Sequence, residues 1–365
     1  MKTATPEQAK TNAGRAKSLA GFWLRLTGLL LLFSMAFTYA VYILTPKYDY
    51  GVCSMMNLYR QPKDTVDVLV VGTSMAYAGV NTNVLWREYG IAAYDLCSAE
   101  EPFWISYYSL KEALKSQRPQ LIILDAKACI YTNDYSKRGR TILSTYGILG
   151  LENRTGAILA SVETAADALG FLLAMPEIHN NYQDVKPSDF VCPPDNGGRG
   201  ETWKGHIEVD EIDRHEKPSL VYNKVKRNIN DREEAYARKI FDLARSEGLP
   251  LMLIGMPNPD YANDHMYYNA LWAIAEEYGF SGINYNDPAL RFGLRYSSDF
   301  ADWQHLNVKG GVTFSRKLGA DLKEAYDLPD RRGDARYASY DACAEKWYSL
   351  LPSFTSSGVA QETAE

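Results

Sequence analysis

Histidine is scarce in this chain: 5 in 365 residues. They are His179, His206, His215, His265 and His305. No histidine pair has metal-ligand spacing, and the 5 cysteines (Cys53, Cys97, Cys129, Cys192, Cys343) contain no C-x-x-C. A zinc site is therefore not expected, and an odd cysteine count outside the cytoplasm leaves at least one thiol unpaired within the chain. Neither a P-loop nor a G-x-G-x-x-G fingerprint occurs, so no nucleotide cofactor is called for. Positive charge is not in excess either. The net charge of −6 argues against nucleic acid as a partner. There is no internal repeat. Tyrosine is plentiful (26), which suits a carbohydrate-facing surface but equally fills cores.

Charge is also missing from Leu26 to Leu44, a run of 19 residues. As a helix it would extend about 28 Å, close to the hydrocarbon thickness of a bilayer. Ahead of it stand Lys2, Lys10, Arg15, Lys17 and Arg25 against one acid, Glu7. The positive-inside rule then puts the N-terminus in the cytoplasm and the chain beyond Lys47 outside. A cleaved signal peptide and a buried core helix are the alternatives. The run is longer than a usual signal h-region, and Thr38-Tyr39-Ala40 is a poor cleavage site.

Downstream, apolar runs alternate with amphipathic stretches. Strands are expected at 67–71, 92–96, 121–124, 251–254 and 283–285. Helices are expected near 81–90, 103–115, 218–247, 263–278 and 308–325. The 218–247 helix would carry Arg232, Glu233, Glu234, Arg238 and Lys239 on exposed faces. This order predicts an α/β fold with a parallel sheet and right-handed crossovers. The expected layout is a cytoplasmic tail (1–20), a transmembrane helix (21–45) and a linker (46–63). A main domain (64–330) follows, then a C-terminal helix near 334–350 and a disordered end (353–365). An insertion at about 130–215, helical over 140–175 and rich in Pro, Asp, Asn and Gly over 186–201, interrupts the main domain and could cap a site.

Two segments carry chemistry. Val68-Leu69-Val70-Val71-Gly72-Thr73-Ser74 reads as a buried strand ending in Gly-Thr-Ser, which sets Ser74 at the carboxyl end of a strand, where open α/β sheets place ligands. Asp302-Trp303-Gln304-His305 puts a carboxylate three residues before a histidine, just ahead of a helix. A serine hydroxyl needs a base, and an imidazole needs an acid to orient it. Ser74, His305 and Asp302 are the candidate catalytic residues. The plainer alternatives are a Thr-Ser helix cap and an N-cap beside a surface histidine. Asp125 and Lys127 at another strand end read as a structural ion pair. Asn258 could bind a sugar or hold its loop. Asn153-Arg154-Thr155 matches a glycosylation sequon, a common pattern.

These two segments resemble the first and last blocks of the SGNH (GDSL-like) hydrolases, and the continuation His305-Leu306-Asn307-Val308-Lys309-Gly310 strengthens the likeness. The similarity covers about residues 64–325. It leans toward the membrane-anchored branch that includes alginate-type O-acetyltransferases and the D-alanyl transfer protein of the teichoic acid pathway. The resemblance implies a three-layer α/β/α, flavodoxin-like sheet, an acyl-enzyme on Ser74, and no cofactor. It also implies a membrane-bound O-acyltransferase partner as acyl donor and an envelope polysaccharide or teichoic-acid-like polymer as acceptor. The chain departs from the family where a block II glycine and a block III asparagine would complete the oxyanion hole. Cys97-Ser98-Ala99-Glu100 and Asp125-Ala126-Lys127-Ala128 stand there instead. Oxyanion donors are therefore expected from the backbone N–H groups of Ser74, Met75 or Ser98. A non-catalytic scaffold of the same fold, or a plain esterase using water, are the rival expectations.

Overall fold

The computed structural model describes residues 6–46, 51–190, 203–218, 223–261 and 264–362. The first elements are α1 (Pro6–Leu44), α2 (Val52–Leu58), β1 (Val68–Gly72), α3 (Ser74–Gly79), α4 (Thr82–Tyr89), β2 (Ala93–Cys97), α5 (Phe103–Ala113) and β3 (Leu121–Asp125). Next come α6 (Arg138–Thr145), α7 (Leu151–Ser161), α8 (Ala165–Leu173) and α9 (Met175–Ile178). The chain ends with α10 (Asp231–Ser246), β4 (Leu251–Gly255), α11 (His265–Glu277), β5 (Ser281–Asn284), α12 (Val308–Ala325) and α13 (Ala338–Glu362).

Two compact units emerge. One consists of α1 with the segment that begins at Ala174 and contains α9. Within Leu19–Leu44 of α1, the most apolar window has a mean hydropathy of 1.9, and none of it is buried. The 26 residues of the whole stretch extend about 39 Å, enough to cross a bilayer. Asn181 Nδ2 donates to the Leu44 carbonyl at 2.9 Å, which satisfies one of the free acceptors at a helix C-terminus.

The other unit is an α/β domain built on a five-stranded, all-parallel sheet of order β2-β1-β3-β4-β5. Its inner strands are continuous apolar runs because helices cover both faces. Leu69, Val71, Ile122, Leu124 and Leu253 point into one core with α5, α10 and α11. Val68, Val70, Ile123, Met252 and Ile254 point into the other with α3 and α12. Each such buried side chain contributes roughly 1.5–3 kcal/mol. The chain goes from β1 to β2 on one side and then crosses back to β3 on the other side of β1. The crevice beyond the ends of β1 and β3 is the switch point where open sheets bind ligands.

Several expectations need correction. The linker 46–63 is not a bare connection, although residues 47–50 lie outside the described ones. It contains α2, whose Val52, Cys53, Met55 and Leu58 are buried, and Tyr94 Oη donates to the Ser54 carbonyl at 2.8 Å. The helix expected over 218–247 begins only at Asp231. Asn230 caps it by accepting from the N–H groups of Arg232 and Glu233 at 2.8 and 3.4 Å, and asparagine side chains compete with helix for backbone bonds. Residues 219–222 lie outside the described ones. The later part of the expected cap belongs to the core. Trp203, Lys204, His206 and Ile207 are buried, and the Lys204 carbonyl accepts the Asp95 N–H at 2.9 Å along β2. The Pro/Asp/Asn/Gly-rich stretch lies mostly outside the described residues, from 191 to 202. At the C-terminus, α13 continues as helix to Glu362, where a disordered end was expected; 363–365 lie outside the described residues. It packs on α4, with Trp86 Nε1 donating to Asp341 Oδ1 at 2.9 Å.

Candidate active site

Strand β1 ends at Gly72, whose φ of +144° lies in the region that favours glycine. A Cβ there would stand 2.5 Å from Asp125 Cβ, so only glycine lets β1 and β3 end side by side. Thr73 then caps α3, its hydroxyl accepting the Met75 N–H at 3.2 Å. The same hydroxyl donates to Asp125 Oδ2, and the Thr73 N–H donates to that oxygen at 3.2 Å. Burial raises the pKa of the Asp125 carboxyl against the lowering effect of these bonds. Ser74 is thus the first residue of α3, half-buried at the mouth of the switch point.

The second segment is held by Asn307, the N-cap of α12. Its Oδ1 accepts the Gly310 N–H at 3.1 Å, and its Nδ2 donates to the carbonyls of Ser298 and Phe300 at 2.9 and 3.2 Å. A Cβ on Gly310 would lie 2.1 Å from the Asp299 carbonyl oxygen, which explains the glycine in the His-Leu-Asn-Val-Lys-Gly run. The Ala301 N–H donates to the His305 carbonyl at 2.9 Å and closes the loop. Within it, Asp302 Oδ1 accepts the N–H groups of Gln304 and His305 at 2.7 and 2.8 Å.

The structure brings the three predicted residues together. His305 Nε2 is 2.8 Å from Ser74 Oγ, and His305 Nδ1 is 2.7 Å from Asp302 Oδ2. Burial alone would raise the Asp302 pKa, but the hydrogen bonds from the imidazole and from two backbone amides pull it down to about 2. An ionised carboxylate only accepts hydrogen bonds, so His305 Nδ1 carries the proton and Nε2 offers its lone pair to the serine hydroxyl. This is the arrangement of a serine nucleophile, its general base and an orienting acid.

The oxyanion expectation is narrowed. The Ser98 N–H donates to the Gly72 carbonyl at 3.1 Å, and the Met75 N–H is taken by Thr73. Of the three, only the Ser74 amide remains, and the opening residue of a helix has no intrahelical partner for its N–H. Asp125 and Lys127 are not an ion pair with each other. Lys127 Nζ bonds Asp264 Oδ2 at 2.7 Å, with both side chains largely buried. Asn258 holds its loop, its backbone N–H bonded to Asn286 Oδ1 at 2.8 Å and its own Oδ1 accepting from Asp260 at 2.8 Å. Asn153 is buried and donates to Glu112 at 2.7 Å, so its sequon offers no exposed amide. His206 is buried between the Tyr77 carbonyl (2.8 Å) and Asn81 Nδ2 (3.0 Å), and burial pushes its pKa down to about 4. Among the described cysteines, Cys53, Cys97, Cys129 and Cys343 are buried, while Cys192 lies outside the described residues. Among the described residues, no three His, Cys, Asp or Glu side chains converge as metal ligands.

Glu233 was misread from the sequence. It is fully buried on α10, not solvent-facing, and it lines a cavity of about 260 Å³ that Gln304 also lines. Glu233 lies on the same helical stripe as Ala237, Ile240, Phe241 and Ala244, all buried, and reading that period would have turned it inward.

Compared with protein-family models and with curated proteins, the chain matches none.

Proposed function

We propose that this chain is a membrane-anchored serine O-acyltransferase or esterase of SGNH type, acting outside the cytoplasm on a cell-envelope polysaccharide or related polymer. The observation that carries the reading is the unbroken chain Ser74 Oγ–His305 Nε2, His305 Nδ1–Asp302 Oδ2, set at the carboxyl ends of a parallel sheet. The apolar length of Leu19–Leu44 supports an anchor, and the basic residues before it support a cytoplasmic N-terminus. Ser74 Oγ attacks the acyl carbonyl carbon as His305 Nε2 takes its proton. The Ser74 amide bonds the developing oxyanion, and Asp302 stabilises the imidazolium. His305 then returns the proton to the leaving group, and an acceptor hydroxyl or water completes the cycle. A membrane-bound O-acyltransferase partner supplying the acyl group remains part of this proposal.

Fluorophosphonate treatment of the full chain in detergent, followed by intact mass and peptide mapping, tests it. One adduct on Ser74 that is lost in His305→Ala supports the reading. A folded chain that gains no adduct overturns the acyl-enzyme and favours a non-catalytic scaffold of a polymer-modification complex. That second reading is favoured by the engaged Met75 and Ser98 amides, since each missing oxyanion donor costs about 2.7–4 kcal/mol of transition-state stabilisation.

A further inference from the structure

The cavity beside the triad has features that the triad chemistry does not use. Pro102 follows β2, Lys127 follows β3, and Gln304 lies between Asp302 and His305. β1, which leads into Ser74, runs between those two strands. Glu233 Oε2 accepts the Phe103 N–H at 2.8 Å, but Oε1 is buried without a hydrogen-bond partner, as is Ser136 Oγ. Leaving such a buried polar atom unsatisfied is unfavourable, and a ligand hydroxyl would satisfy it. Trp104, Tyr131 and Tyr135 supply aromatic surface.

We infer that this cavity seats one sugar ring of the acceptor, with Glu233 and Ser136 bonding its hydroxyls and the aromatic side chains packing on its C–H faces. The inference rests on the acyl-transfer reading of Ser74 and names what receives the acyl group. Size agrees: about 260 Å³ falls just under the roughly 300–1,000 Å³ of drug-sized sites, room for one ring rather than an oligomer. Charge agrees as well. Burial pushes Glu233 up to about 8, so at neutral pH its carboxyl is uncharged and can donate to a ligand oxygen. The lining cations already have carboxylate partners, Lys127 with Asp264 and both Lys137 and Arg140 with Glu100. An uncharged polyol fits this better than an anion. In the transfer step a sugar hydroxyl oxygen attacks the carbonyl carbon of the Ser74 ester. The new C–O bond forms, the bond to Ser74 Oγ breaks, and the hydroxyl proton passes to His305 Nε2 and then to Oγ.

Saturation-transfer NMR of the full chain in detergent, carrying Ser74→Ala, tests the seat without requiring any reaction. The probes are methyl glycosides of glucose, N-acetylglucosamine and glucuronic acid. Saturable binding of the neutral glycosides, weakened at least tenfold by Glu233→Ala and by Tyr135→Ala, is expected. Tyr135 is partly exposed (37%), so its variant keeps the test valid should Glu233→Ala fail to fold. No binding of any neutral glycoside overturns the inference, as does binding that Tyr135→Ala and Ser136→Ala leave unchanged or binding confined to the glucuronide. If glycosides bind as expected while Ser74 takes no fluorophosphonate in the unsubstituted chain, the seat stands and the acyl-enzyme reading falls.

Discussion

The two halves of the candidate triad are built in opposite ways. Ser74 is placed by the core: Gly72 and Thr73 are buried, and Thr73 is tied to Asp125, a residue of a neighbouring strand. His305 and Asp302 are placed by a short turn at the surface. Asp302 is about half exposed (51%), Trp303 is 62% exposed, and every hydrogen bond made by the Asp302 carboxylate reaches a residue within three positions. The nucleophile therefore inherits its position from the sheet, while the base and acid bring their own geometry and need only be delivered to it. Asn307 and the first turn of α12 do the delivering. Damage to the buried residues that hold Ser74 should disturb stability along with chemistry; damage to the second half should fall more on chemistry than on stability.

That contrast can be broken or sharpened by substitution. The largest effect is expected from Ser74→Ala, which should abolish ester turnover, a loss on the order of 10⁶-fold as for other triad nucleophiles, with an unchanged melting temperature. Asp302→Asn should lower kcat by about 10²–10⁴-fold. The upper bound comes from proteases in which the orienting aspartate is buried, and the exposure of Asp302 argues for less. An unchanged kcat would detach Asp302 from the site. In the buried half, Gly72→Ala should cost roughly 2–5 kcal/mol through its backbone conformation and the clash with Asp125, read as a lowered denaturation midpoint. A melting curve identical to the parent would show that the core does not hold Ser74 as described.

The pH prediction concerns His206, behind the nucleophile. Its folded pKa of about 4 lies below the ordinary 6.5. Between those values the unfolded chain binds the proton and the folded one does not, so stability is lost as pH falls from 6.5 toward 4, by at most about 3 kcal/mol. Glu101 and Glu233 act with the opposite sign, because burial raises both to about 8. What they contribute is fully present below 4.5 and is lost as pH rises toward 8. Comparing the acid slope of His206→Gln with the parent isolates the histidine, and equal slopes would remove it from the account. The smallest effect belongs to Asn307→Ala, about 1–2 kcal/mol for a lost cap, with a larger proportional loss of turnover than of stability.

Much of this was legible beforehand because it is local. Apolar runs bounded by Pro and Gly mark β1, β3 and β4, and α12 falls on its expected bounds, Val308–Ala325. The i, i+3 spacing of Asp302 and His305 holds in space because one turn of chain closes it. What escaped was set by contacts distant in sequence. Whether Ser98 had a free amide depended on Gly72, at the end of the neighbouring strand. Lys127 found Asp264, 137 positions away, rather than its neighbour Asp125. Glu233 reads as a surface residue in a charged stretch, and only the packing of α10 against α5 buries it.

The sequence by itself determined the class of the domain, an anchor-length apolar helix, and the three residues of the candidate triad, since hydrophobic period and short-range spacing are properties of the chain. Tertiary structure alone decided that Ser74 and His305 meet at 2.8 Å, which amides remain for an oxyanion, and that a cavity with an unpartnered carboxyl oxygen opens beside them. These depend on strand order and on which buried groups satisfy one another. Both are fixed only when distant segments pack and water is excluded.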